Sequence, residues 1–200
     1  MTTKGPRPFL QLRRAGTIHI VAILLILIPF GATPDAAAPR QEPTTRVDGR
    51  QFSLRAKATR AMFFGTLDLY SVGIYTSEPI RGVNELRNSD MPKALRVGVL
   101  YDGGMPEKIP SDWWKELMPA LSPAEEEKLR RAFSKLSRGQ DIWIRYAPAT
   151  GTRIICGGDV VVATRDHQLM SAVLDLWLDS TPVSEEVRET LVAELGGRQH

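Results

Sequence analysis

Three strand-type runs follow one another with almost no chain between them, and that succession limits the fold more than any other feature of the sequence. Asp141–Ala147 alternates, with Ile142, Ile144 and Tyr146 on one side of the pleat and Trp143 and Arg145 on the other. Pro148-Ala149-Thr150-Gly151 turns the chain into Thr152–Cys156, and Gly157-Gly158 makes a tight turn into Val160–Thr164. A chain built this way must put much of its apolar surface on a sheet.

The first half of the body repeats the pattern. Gln51–Phe63 alternates in its middle, Phe64-Gly65-Thr66 is a turn signal, and Leu67–Thr76 is rich in β-branched and aromatic residues. Tyr70, Val72 and Ile74 share one side of that strand. Ala94–Tyr101 is a further apolar run, ended by Asp102-Gly103-Gly104, and a short helix is expected near Val83–Arg87. Helices fill the middle. Ser111 is placed to cap Ser111–Met118. Ser122-Pro123-Ala124-Glu125 combines a capping Ser, Pro at the first helical position and Glu at the third, and opens a helix expected to reach Leu136. Leu129, Ala132, Phe133 and Leu136 fall on one face of it, and Glu125–Glu127 with Lys128, Arg130 and Arg131 form a solvated, ion-paired face. Two helices close the chain, one capped by Asp166 over His167–Leu178, the other by Ser184 over Glu185–Leu195. Strands on both sides of a helical insertion predict an α+β domain.

The N-terminus reads differently. Lys4, Arg7, Arg13 and Arg14 precede an apolar run, Ile18–Ala32, of about fifteen residues, short of the ~20 that a spanning helix needs. Residues 1–38 are expected to be a secretory signal or an uncleaved membrane anchor, with the body outside the cytoplasm. Residues 39–46 read as a flexible linker, 47–195 as the folded domain and 196–200 as a tail. The leader holds four of the 26 basic residues and one of the 23 acidic ones, so the rest of the chain carries 22 of each. The net charge of +3 therefore reports the leader, not a nucleic-acid surface. One cysteine excludes an internal disulfide, and three dispersed histidines (His19, His167, His200) do not suggest a metal site. No cofactor is expected.

From Val47 to Leu195 the chain resembles the chalcone isomerase-like superfamily. The resemblance rests on Thr59-Arg60 through Tyr70-Ser71-Val72-Gly73-Ile74-Tyr75, on Leu95–Tyr101 followed by Asp112-Trp113-Trp114, and on the Gly151-Thr152-Arg153 to Gly157-Gly158 hairpin. Most specific is the tail Trp177-Leu178-Asp179-Ser180-Thr181-Pro182-Val183-Ser184, with Asp179 where bacterial members often carry Gly. The resemblance implies an open-faced β-sandwich, in which a curved antiparallel sheet is covered by a helical layer with a ligand cleft between.

It also implies site residues. The catalytic Arg of the isomerases falls on Arg60, a Thr on Tyr70, the Tyr near Met105 or Pro106, a Lys on Lys108 and a further Thr near Leu176. Two of these positions carry no hydroxyl, which weighs against chalcone isomerase activity. Arg60 with Tyr70 instead matches the pair with which fatty-acid-binding members hold a carboxylate. A guanidinium fork and a phenol donor suit that group. The expected ligand site is thus Arg60, Tyr70 and Lys108, with Val72 and Ile74 lining a tunnel for an apolar tail. Two other readings stay open: an isomerase acting on an unknown enone, and an interaction module whose cleft is filled by its own side chains. For the remaining candidates the expectation is packing at Trp177 and Leu178, a strand position without redox work at Cys156, and an exposed His167.

Overall fold

Short connections and turn residues force consecutive strands to pair antiparallel, since a parallel neighbour needs a crossover of a dozen residues or more. The computed structural model of the chain describes residues 41–62, 65, 67–103, 114–115, 117–179 and 182–197. The strands are β1 (Thr44–Val47), β2 (Arg50–Met62), β3 (Leu67–Thr76), β4 (Lys93–Val99), β5 (Asp141–Ala147), β6 (Gly151–Cys156) and β7 (Asp159–Thr164). They form one curled antiparallel sheet in the order of the sequence, β1 to β7.

Turn chemistry sets several of the joints. Asp48 and Gly49 both have positive φ (50° and 79°) and make a two-residue link between β1 and β2. Gly157 and Gly158 do the same between β6 and β7 (57° and 101°). Such turns match the right-handed twist of the flanking strands.

The described helices are α1 (Val83–Asn88), α2 (Pro123–Phe133), α3 (Gln168–Leu178) and α4 (Glu185–Gly197). Ser122 and Glu125 form the capping box at the start of α2. Asp166 accepts from the Gln168 amide at 3.1 Å, and Ser184 from the Val187 amide at 3.4 Å.

One face of the sheet and the helices share the main core. It joins Val72, Ile74, Leu95, Val97, Ile144 and Ile154 to Leu129, Phe133, Leu174, Trp177 and Leu191. A second, smaller cluster lies on the opposite face: Val47, Phe52, Leu54, Tyr75 and Ala94, with Trp143 against it. β2 serves both clusters because of a bulge. Leu54 pairs with Tyr75 and Ala56 with the next residue back, Ile74, so Arg55 is the extra residue. The one-residue slip turns the side chains of β2 from one face to the other. Beyond it Ala56, Ala58 and Arg60 face the helices; before it Phe52 and Leu54 face away.

Several expectations change. Thr44–Val47, placed mostly in the linker by composition, is strand β1, because Thr45 and Val47 gain ladder partners in Phe52 and Arg50. α2 stops at Phe133 rather than Leu136; Lys135 and Leu136 instead bond back three residues, to the carbonyls of Ala132 and Phe133. His167 is half-buried rather than exposed, because Tyr146 and Lys93 rise to meet its ring. The leader (1–38) and residues 104–113, including the expected Ser111 cap, lie outside the described residues. Trp114 and Leu117 are helical and buried.

Candidate functional site

Arg60 and Tyr70 are direct cross-strand partners on β2 and β3, and Tyr70 pairs in turn with Val99 on β4. Paired residues on neighbouring antiparallel strands point to the same side. That side is the one covered by helices. The Tyr70 ring meets Trp177 of α3 edge-on at 5.6 Å between centroids. The Arg60 Nη1 donates to Glu186 Oε2 of α4 at 2.7 Å. Four elements therefore converge on this corner, and none of the contacts is local in sequence.

The two members of the pair differ in exposure. Tyr70 is buried, while the Arg60 side chain is 36% exposed and that of Glu186 59%. Burial pushes the Tyr70 phenol up to about 12; the Arg60 guanidinium opposes the rise and the Glu186 carboxylate reinforces it. At neutral pH Tyr70 is a neutral hydroxyl, able to donate, beside a fixed cation. The corner is thus chemically suited to a carboxylate, and Glu186 already supplies one to Arg60. Glu186 was legible in the sequence only as an acidic residue in a helix's first turn, which predicts the helix and not its partner.

Lys108, Met105 and Pro106 lie outside the described residues. Leu176, where the isomerases' Thr falls, is buried among apolar neighbours. Val72 and Ile74 are fully buried core residues and do not bound the cavity between sheet and helices. Between sheet and helices, the cavity bounded by Val97, Leu117, Ile142, Ile154, Leu176 and Trp177 measures about 50 Å³. Small-molecule sites begin near ~300 Å³. Among the described residues, the protein's own side chains, Trp177 and Leu176 included, leave little room for an acyl chain at this place. Trp177 packs as expected, and it is also the wall between Tyr70 and this small cavity.

A second polar cluster, unannounced by any motif, sits at the far end of the same face. Lys93 is buried, donating from Nζ to the carbonyls of Leu86 (2.5 Å) and Ser89 (2.8 Å) and lying 3.3 Å from His167 Nε2. Tyr146 donates to Asp90, and His167 Nδ1 is 2.9 Å from Ser171 Oγ. Burial brings the Lys93 amine down to about 8, with Asp90 opposing. Burial and then Lys93 lower His167. The arrangement caps the C-terminal end of α1 with an amine. Cys156 is buried, and desolvation raises its thiol to about 12, which fits a strand residue and not a nucleophile.

Asp179, the departure in the tail motif, lies 3.9 Å from Arg87 of α1, which also pairs with Asp175 at 3.2 Å. A family model described as chalcone isomerase-like matches residues 35–193. No curated protein matches the sequence. Among solved structures, a fatty-acid binding protein of Arabidopsis thaliana aligns with 18% identity and a TM-score of 0.47, covering 80% of this chain and 92% of that one.

Proposed function

The chain belongs to the chalcone isomerase-like family, and on that premise we propose that it is a non-catalytic, exported binder of an amphipathic anion such as a fatty acid. The observation that carries the proposal is the Arg60–Tyr70 cross-strand pair, with the Glu186 carboxylate already bound to Arg60. Arg60 and Glu186 form an exposed ion pair, and such pairs are worth only ~0–1 kcal/mol. A ligand carboxylate can replace Glu186 at little cost and gain the Tyr70 hydroxyl as a second donor. The tail would then enter beside Trp177 and displace side chains that now fill the interior. The apolar leader supports delivery to the extracytoplasmic side of a membrane, where acyl chains are at hand.

The test is palmitate binding by the full-length chain, with extraction and mass spectrometry of whatever co-purifies. Arg60→Ala combined with Tyr70→Phe should abolish binding and leave the far-UV spectrum unchanged. Unaltered affinity in that variant refutes the assignment. The cavity of about 50 Å³ favours one other reading, an interaction module with a closed cleft. A chain that purifies without ligand and refuses palmitate would support it.

A further inference from the structure

The opposite face of the sheet carries an unbalanced set of cations. Arg145 of β5 and Arg153 of β6 are direct cross-strand partners there, since Trp143 and Arg145 point away from the helices. Acidic residues answer two of the neighbouring guanidiniums. Arg96 pairs with Asp141 at 2.9 Å, and Arg153 with Asp48. Arg145 feels Asp48 and Asp141 only at a distance, and among the described residues no carboxylate forms a close ion pair with it. It is half-buried, and its Nε has neither hydrogen-bond partner nor solvent contact. The Trp143 ring lies 5.0 Å from its guanidinium carbon. The Arg153 Nε is likewise buried without a partner. Desolvation draws Arg145 below its ordinary value, as expected of a cation short of compensation.

These residues line a groove of about 470 Å³, within the size range of small-molecule sites. Its accessible apolar wall is Ala147, Pro148 and Ala149, beside the buried Val47, Phe52 and Pro92, and its polar side holds Arg145, Arg153 and the exposed Arg50. Among the residues lining the groove, three guanidiniums thus face one carboxylate, that of Asp48. Backing a cation with an aromatic ring and leaving its fork unfilled costs stability unless an anion arrives. A bidentate oxyanion, carboxylate or phosphate, is the group that a guanidinium pair accepts best.

We infer that this groove, on the face opposite Arg60 and Tyr70, is a second binding site. It takes an oxyanion borne on an apolar or aromatic body, with Arg145 and Arg153 holding the anion and Ala147, Pro148 and Ala149 the body. The anion can belong to a soluble ligand or to a lipid headgroup.

Calorimetric titration of the full-length chain with inorganic phosphate, phenyl phosphate and phenylacetate tests the site. Phenyl phosphate should bind at least tenfold more tightly than inorganic phosphate, because only it uses the apolar wall. Arg145→Gln should weaken it at least tenfold. Asp48→Asn suits the positive-φ turn and removes the competing charge, so it should tighten binding several-fold without disturbing the fold. Co-sedimentation with phosphatidylcholine vesicles, with and without phosphatidic acid, separates the sources. An Arg145-dependent gain from phosphatidic acid without binding of phenyl phosphate assigns the site to a headgroup. Binding of phenyl phosphate assigns it to a soluble anion. Equal affinities of the parent and Arg145→Gln, or no response to any probe or to phosphatidic acid, overturn the inference. Arg60→Ala with Tyr70→Phe should leave phenyl phosphate binding unchanged, which separates failure of this site from failure of the other.

Discussion

Replacing Lys93 with Met should change how the stability of the protein depends on pH, by an amount that follows from one buried amine. The Lys93 amine titrates near 8 when folded, against 10.5 for a free lysine, and burial is the main cause. Below pH 8 both states are charged and folding carries the full desolvation cost. Between pH 8 and 10.5 the folded amine is neutral while the unfolded one keeps its proton. The unfolded state then binds more protons, so stability rises with pH. The whole rise is roughly 3.4 kcal/mol, 2.5 pH units at about 1.36 kcal/mol each, and the portion between pH 7.5 and 9.5 is about 2 kcal/mol. Other groups bear on the window. Cys156 and the phenols of Tyr70 and Tyr146 are each raised to about 12, so they withdraw stability as pH climbs past their unfolded values of 9 and 10. They do so in both proteins and cancel in the difference. His167, whose value is lowered below 6.5, is already neutral there. The assay is urea unfolding of the full-length parent and Lys93→Met in half-unit steps from pH 7.5 to 9.5. The parent should gain on the variant by about 2 kcal/mol across that range. The carbonyls of Leu86 and Ser89, left without their donor, set a constant offset but not the slope. Parallel profiles would refute the reasoning, because a buried amine with a shifted value must show this slope.

Two further outcomes are expected. Gly151→Ala should cost at least about 2 kcal/mol in thermal or urea unfolding, since φ is +75° and the new Cβ would stand 2.0 Å from the Thr164 carbonyl oxygen; Gly157→Ala, whose nearest neighbour is the flexible Gln140 side chain at 3.3 Å, should cost only about 1–2 kcal/mol, and equal losses would count against the clash. Glu186→Gln should lower stability by no more than about 1 kcal/mol while tightening palmitate several-fold by freeing Arg60, and a weaker or unchanged affinity would mean that the ligand carboxylate does not sit on that guanidinium.

Much of the architecture was legible because it depends on local patterns. β3 and β5 lie where alternation and β-branched content put them, and the α2 capping box is written in four consecutive residues. The family, too, could be read from ordered motifs along nearly the whole domain. β1 could not: Thr44–Val47 has no alternation of its own, and only the Asp48-Gly49 turn and the ladder to β2 make it a strand. The Arg55 bulge escaped for the same reason, since a slip of register leaves no mark on composition.

The candidate site divides along that line. Sequence by itself determined that Arg60 and Tyr70 are present and that hydroxyls are missing at Met105, Pro106 and Leu176. It also determined which residues alternate on each strand and that an N-terminal segment of four basic residues and an apolar run stands before a formally neutral remainder. Tertiary structure alone decided that Arg60 meets Glu186, 126 residues away, and that Trp177 closes on Tyr70. It alone left the Arg145 Nε buried without a hydrogen-bond partner on the opposite face. The physical reason is that propensity, caps and turns act over a few residues, whereas ion pairing, desolvation and the filling of a cavity depend on which distant side chains the sheet and helices bring to the same few ångströms.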